Sequence, residues 1–138
     1  MSNERLFLDT VFVIGLLNPN DQHHGKAKEL FPRFRAAGEV WTTDAILVEI
    51  GNGLRAIQHR QTAVRFIQQC FTNSRMRIVP VTTDLLKRAL NLYESHEDKT
   101  WGLTDCISFV VMDDETLTDA ITTDGHFQQA GFRALMQD

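Results

Sequence analysis

The sequence is 138 residues long, with 43% apolar residues, 23% charged residues and a formal net charge of −4 at pH 7. These proportions are ordinary for a globular protein and exclude a disordered chain, and the length suits one domain, residues 1–138, with one hydrophobic core. The longest apolar run, residues 11–17, is far too short to cross a membrane. Both cysteines lie in apolar helical patterns, as free thiols do in a reducing cytoplasm, so we expect a cytoplasmic protein.

Two apolar patterns alternate along the chain. Short apolar segments bounded by turn residues predict strands at 5–9, 39–42, 76–81 and 120–123, with a candidate fifth strand at 132–135. Apolar positions at helical spacing predict helices at 10–17, 24–37, 44–57, 63–71, 83–95 and 103–112. Asn18 and Pro19 end the first of these helices, and Gly38 ends the second.

This alternation of strands and helices predicts an α/β protein with a central parallel sheet of four to five strands flanked by helices. In open sheets of this type, ligands bind outside the carboxyl ends of the strands, near a reversal in strand order. Polar residues that follow a predicted strand are therefore the first candidates for a functional site. The two cysteines, Cys70 and Cys106, lie in apolar helical patterns instead, which is typical of buried free thiols.

Four acidic residues occupy positions that the predicted sheet would bring together. Asp9 ends the first strand and Asp124 ends the fourth, so both belong to the carboxyl edge. Asp105 falls in the first turn of a helix, with Thr104 as the expected N-cap. Glu49 lies within an apolar helix whose neighbouring positions on the same face are small, which leaves room for another segment to approach it.

Each acid also has a simpler structural interpretation. Asp105 suits a helix amino terminus, Asp124 suits a turn before Gly125, and Glu49 suits a solvated helix face. Asp9 is harder to explain in this way, because a carboxylate at the tip of a buried strand is costly without a partner. Carboxylates that share one site repel each other unless a cation lies between them. Oxygen ligands without cysteine or clustered histidine favour Mg²⁺ or Mn²⁺.

Four stretches around these acids resemble the PIN-domain family, in particular the VapC-type toxins of bacterial toxin–antitoxin pairs. The stretches are LFLDTVFVIGLLNPNDQHH, TTDAILVEIGNGL, WGLTDCISFVVM and ITTDGHFQQAGF, and they span nearly the whole chain in order. The resemblance implies a PIN-like fold, Mg²⁺ or Mn²⁺ dependence and endonucleolytic cleavage of RNA. It also implies a cognate antitoxin partner and a homodimer. The acidic residues of the family carry over onto Asp9, Glu49, Asp105 and Asp124.

Three hydroxyl groups accompany these acids. The family's hydroxyl beside the first acid is matched by Thr10, and the one before the third acid by Thr104. Thr123 precedes the fourth acid. We expect Thr10, Thr104 and Thr123 to hydrogen-bond the acids or a phosphate, although capping or packing roles suit them equally. His126 follows closely, and we expect it to pack in a loop over Phe127 rather than to bind RNA.

The charge is unevenly distributed along the chain. Residues 26–77 hold nine of the fourteen Lys and Arg residues and four Asp and Glu residues, whereas residues 78–138 hold four and eleven, respectively. A basic surface can therefore lie beside an acidic site, and Arg55, Arg60 and Arg65 are candidates for RNA phosphate contacts. Solvated helix faces would produce the same composition.

Other functions fit the sequence less well. A PIN domain that binds RNA or protein with little catalysis is the main alternative, and the four intact acids argue against it. A phosphatase with an aspartate nucleophile requires a second acid two residues after Asp9, where Val11 stands. A phospho-acceptor receiver domain requires an acidic pair near the first strand, which residues 6–8 do not provide.

Overall fold

The computed structural model describes residues 2–137 and contains the parallel sheet that the sequence predicts. Its strands are β1 (Arg5–Leu8), β2 (Glu39–Thr43), β3 (Met76–Val79), β4 (Asp119–Ile121) and β5 (Arg133–Ala134). All four strand pairs are parallel, and the order across the sheet is β3-β2-β1-β4-β5. Strands β2 and β3 lie on one side of β1, and β4 and β5 lie on the other. The strand order therefore reverses between β1 and β4. Phe7 marks the register there, because it pairs with Trp41 of β2 and with Ala120 of β4.

Seven helices connect and cover the strands within residues 2–137. They are α1 (Thr10–Leu17), α2 (His24–Ala36), α3 (Asp44–Gly53), α4 (Ile57–Thr72), α5 (Thr83–Ser95), α6 (Leu103–Asp114) and α7 (Gly125–Gln129). The predicted bounds of α1 and α5 are confirmed, and those of α2 and α6 differ by no more than two residues. None of these helices has the length and apolar character that a membrane span requires.

The predicted helix at 44–57 is wrong at its carboxyl end. Helix α3 ends at Gly53, and Ile57 begins α4 instead, where its side chain is 82% exposed. A Cβ atom on Gly53 would collide with the side chain of Ile14, so α1 packs directly against this end of α3. The apolar spacing continues across the break, and periodicity alone therefore could not locate it. Helix α7 was missed because five residues are too few to show a helical period.

The core lies on both faces of the sheet. Leu6, Phe7 and Leu8 of β1 are fully buried, as expected for a strand in a sheet that helices cover on both sides. Every residue of α6 from 106 to 112 is buried, so this helix packs within the protein along most of its length. The aromatic rings of Phe109 and Phe127 meet edge to face at 5.0 Å and tie α6 to α7. This packing fixes the amino end of α6 beside the carboxyl ends of β1 and β4.

Candidate active site

Asp9 is the most buried acid at the carboxyl edge of the sheet. It follows β1, occupies the N-cap position of α1 and is 7% exposed. The Thr122 hydroxyl donates a hydrogen bond of 2.7 Å to its Oδ2 atom. The pKa of Asp9 is raised to about 7, chiefly by burial. The nearby charges of Asp105 and Asp124 also raise it, whereas the hydrogen bonds from Thr122 and the Thr10 backbone lower it. A cation near Asp9 would therefore stabilise its charged form.

Glu49 reaches the same region from α3. The Thr10 hydroxyl donates a hydrogen bond of 2.7 Å to Glu49 Oε1, so the first residue of α1 holds this carboxylate in place. The close packing of Ile14 on Gly53 brings the two helices near enough for this contact. Gly53, a small neighbour on the same face as Glu49, thus has a physical role, since it admits Ile14 of α1.

Asp105 lies in the first turn of α6, as predicted, but the predicted N-cap is wrong. Gly102 is the N-cap residue, and its backbone N–H donates to Asp105 Oδ2 at 3.1 Å. Thr104 is already helical, and its carbonyl accepts a hydrogen bond from the Ser108 hydroxyl. Burial is the largest cause of a raised pKa at Asp105, and the charge of Asp124 adds to it, whereas contacts with Gly102 and His126 lower it.

Asp124 caps the short helix α7, and its carboxylate accepts the backbone N–H of His126 at 2.9 Å. It follows β4 by three positions, because that strand ends at Ile121 rather than at the predicted residue 123. The predicted hydroxyl contact also shifts by one residue. Thr122 binds Asp9 through its side chain, whereas Thr123 offers its backbone carbonyl to Gln137.

His126 belongs to this site, whereas the sequence interpretation favoured packing in a loop over Phe127. Its Nδ1 atom lies 3.2 Å from Asp105 Oδ2 and 3.1 Å from Asp124 Oδ1. Its Nε2 atom lies 3.2 Å from the Thr100 hydroxyl. One potential ligand atom from each of Asp105, Asp124 and His126 lies within 4.8 Å of the other two. The sequence signal was its position two residues after Asp124.

A cleft of about 420 Å³ joins these groups. It is lined by the four predicted acids together with Thr10, Val11 and Asn52. The cleft opens at the carboxyl ends of β1 and β4, where the strand order reverses. The structure therefore brings Asp9, Glu49, Asp105 and Asp124 to one place, although they are separated by up to 115 positions in the chain.

The three predicted RNA-binding arginines are exposed but do not form one cluster with the acids. Arg55 donates to the carbonyl of Asn52, which lines the acidic cleft, and Arg60 donates to the carbonyl of Arg55. Arg65 lines a separate groove between α4 and the first two helices. Arg55 and Arg60 thus lie near the cleft, whereas Arg65 faces another surface.

Comparison with known proteins is consistent with this geometry. Residues 6–133 match the family model described as the PIN domain. The 23S rRNA-specific endonuclease VapC20 from two strains of Mycobacterium tuberculosis is 31% identical over 128 residues, which are 92% of this chain and 95% of the relative. The crystal structure of M. tuberculosis VapC20, described as a Sarcin-Ricin loop cleaving toxin, superposes with a TM-score of 0.81 at 29% identity and covers 92% of this chain and 95% of that one. On sequence and fold together, this chain belongs to the PIN domain family.

Proposed function

We propose that this protein is a metal-dependent endoribonuclease that hydrolyses internal phosphodiester bonds of RNA. The observation that carries the proposal is the convergence of four carboxylates on one open cleft at the reversal in strand order. The names of the relatives, a 23S rRNA-specific endonuclease and a Sarcin-Ricin loop cleaving toxin, support RNA as the class of substrate.

The side chains of the cleft fit a hard divalent cation. Asp9, Asp105 and Asp124 would hold Mg²⁺ or Mn²⁺, with Glu49 as the fourth carboxylate, because oxygen donors suit these ions. The raised pKa values of Asp9 and Asp105 support this fit, since Asp9 is buried, Asp105 is half-buried and both lie beside other negative charges. When bound, the ion supplies Lewis-acid stabilisation of the charge that develops on the scissile phosphate.

Three side chains of the protein have separate roles in the proposed reaction. Glu49, positioned by the Thr10 hydroxyl, accepts a proton from the attacking water as general base. Thr122 orients Asp9 through its hydrogen bond to Oδ2. His126 is shared between Asp105 and Asp124 and fixes their spacing.

The test is cleavage of a pool of structured RNAs by the purified protein with Mg²⁺ or Mn²⁺ and with a chelator. We expect cleavage only with the metal and loss of cleavage in the Asp105→Asn variant. Asp113→Asn is the matched control, because Asp113 is an exposed acid on the same helix and lies outside the cleft. Cleavage that persists in chelator or in Asp105→Asn would refute the proposal. RNA binding without cleavage by the wild type would favour the alternative of a binding module.

We further propose that the enzyme is the toxin of a toxin–antitoxin pair. Production of the wild type alone should arrest growth of a bacterial host, and a small protein encoded beside it should relieve the arrest. The Asp105→Asn variant is the control and should be harmless at equal abundance. Harmless production of active wild type would contradict the toxin role while leaving the nuclease activity intact.

A homodimer is part of the same proposal. Helices α3 and α4 expose Val48, Ile57, Val64 and Phe71, with exposed fractions of 62%, 82%, 39% and 66%. Apolar side chains exposed to this extent on adjoining helices suit burial against a second copy. Light scattering should give twice the mass of the chain for the wild type and a lower mass for Ile57→Asp. A monomeric wild type at micromolar concentration would contradict this assignment.

RNA affinity should depend steeply on salt if the basic region contacts phosphates. Each phosphate contact contributes a slope of about −0.7 on single strands in a plot of log affinity against log salt concentration. Reversing the charge at Arg55, Arg60 and Arg65 together should flatten the slope, whereas Lys87→Glu, outside the basic region, should leave it unchanged. An unaltered slope in the triple variant would place the RNA surface elsewhere.

A further inference from the structure

A cavity separate from the acidic cleft lies beside it. It has a volume of about 650 Å³ and lies between the carboxyl half of α5 and the segment 96–101. Cavities of roughly 300–1,000 Å³ are typical of sites for small organic ligands. The catalytic proposal leaves this cavity without a role.

Aromatic side chains form much of its lining. Tyr93 is 48% exposed, and the His96 ring stacks on Trp101 with centroids 4.8 Å apart. Hydrogen bonds fix the orientation of both stacked rings. His96 Nδ1 lies 3.0 Å from the Leu92 carbonyl, and the Trp101 indole N–H donates to Gln129 at 2.9 Å. A preordered aromatic surface beside a cavity is the arrangement on which single-stranded nucleic acid bases stack.

The charges of the lining favour the base of a nucleotide over its phosphate. Glu94 and Glu97 are exposed acids of the lining, and Lys99, its basic residue, already pairs with Asp98 at 3.0 Å. An anionic phosphate would therefore be repelled from this cavity. Carboxylates accept hydrogen bonds from the exocyclic amino groups of adenine, cytosine and guanine, so they suit a base edge.

A short chain of contacts connects the cavity to the acids. Thr100 lines the cavity, and its hydroxyl lies 3.2 Å from His126 Nε2. The opposite nitrogen of the same ring contacts Asp105. The imidazole ring of His126 alone therefore separates Thr100 of the cavity wall from Asp105 of the cleft. Because the two sites are this close, an RNA strand with its phosphate in the cleft can place a neighbouring base in the cavity.

We propose that the cavity walled by Tyr93, His96 and Trp101 binds one unstacked base of the RNA strand next to the scissile phosphate, with a preference for bases that carry an exocyclic amino group. The assignment rests on the proposed ribonuclease function and adds a specificity determinant to it. Tyr93 stacks on the base, and Glu94 and Glu97 accept from its amino group.

The first test measures base binding without catalysis. The chain has two tryptophans, so Trp41→Phe leaves Trp101 as the sole fluorescent reporter of this kind. The four nucleoside 5′-monophosphates are titrated in chelator, with ribose 5-phosphate as the control without a base. We expect a saturable change in Trp101 fluorescence with AMP, CMP and GMP, a weaker one with UMP, and none with ribose 5-phosphate. An equal response to ribose 5-phosphate, or quenching that never saturates, would overturn the proposal.

Variants then locate the bound base. Tyr93→Ala should weaken mononucleotide binding roughly 5- to 150-fold, the range expected for one base stacked on an aromatic ring, whereas Tyr93→Phe should bind as the parent does. Leu86→Ala is the matched control, because it removes a similarly exposed apolar side chain from α5 outside the cavity. Equal binding by Tyr93→Ala and its parent would overturn the assignment.

The second test uses RNA. An abasic nucleotide next to the cleavage position should lower kcat/KM for the wild type but have little further effect in Tyr93→Ala, because both changes remove the same contact. Additive losses would overturn the proposal. Failure of the ribonuclease function itself is distinguishable, because it would abolish RNA cleavage and leave the mononucleotide titration unchanged.

Discussion

Replacing Asp9 with asparagine should inactivate the enzyme and yet stabilise the metal-free protein. Burial raises the pKa of Asp9 from 3.8 to about 7, so the folded protein binds more protons than the unfolded chain between these values. The free energy of unfolding must therefore fall as pH rises from about 4 to 7 and stay low above that. Below the lower value both states are protonated, and Asp9 has no effect on stability.

The size of the effect follows from the shift. One pKa unit corresponds to about 1.4 kcal/mol, so the charged form of Asp9 lowers stability by about 4 kcal/mol above neutral pH. Between pH 5 and pH 8 the wild type should lose about 2.5 kcal/mol from this group. Asparagine removes the charge and its carbonyl can still accept from Thr122, but a buried amide N–H without a partner costs about 1–3 kcal/mol. The net gain for Asp9→Asn at pH 8 is therefore about 1–3 kcal/mol.

Urea unfolding in chelator at pH 5 and pH 8 measures this difference, with Asp113→Asn as an exposed control that should follow the wild type. Adding Mg²⁺ should reverse the ranking, because the wild type gains about 2.7 kcal/mol at a hundredfold excess over Kd, whereas Asp9→Asn has lost a charged ligand. If Asp9→Asn is the less stable protein in chelator at pH 8, or if both proteins respond equally to Mg²⁺, the electrostatic account of Asp9 is refuted.

Three further substitutions test the contacts around the cleft. Thr10→Val removes the hydroxyl that donates to Glu49 and should reduce kcat for RNA cleavage about 10- to 100-fold. Thr10→Ser keeps the hydroxyl and should retain activity. Equal rates for Thr10→Val and the wild type would contradict the positioning role. Thr122→Val removes a hydrogen bond that lowers the pKa of Asp9. The free energy of unfolding of the metal-free variant should therefore go on falling to a higher pH than in the wild type. An unchanged dependence of this free energy on pH would argue against the contact. Gly53→Val should crowd Ile14 of α1 and lower the free energy of unfolding, measured in urea, by about 1–3 kcal/mol. A variant as stable as the wild type would show that the two helices can move apart without cost.

The sequence by itself determined the class of fold and the acidic character of the site. Apolar segments such as 6–8, with no polar alternation, predict strands buried on both faces, and helices between them require a parallel sheet. Residues that end such strands must then share one edge, so Asp9 and the region of Asp124 could be placed together from local pattern alone. Each of these inferences depends only on residues close together in the chain.

Tertiary structure decided which side chains touch. The contact between Asp105 and His126 joins segments 21 positions apart, and it exists because Phe109 and Phe127 pack α6 against α7. The hydroxyl that binds Asp9 comes from Thr122 rather than Thr123, since consecutive residues of an extended chain point to opposite sides. The approach of Ile14 in α1 to Gly53, where α3 ends, is likewise a contact between distant segments. Periodicity reports which face of an element is apolar, but register and packing between distant elements determine its partners.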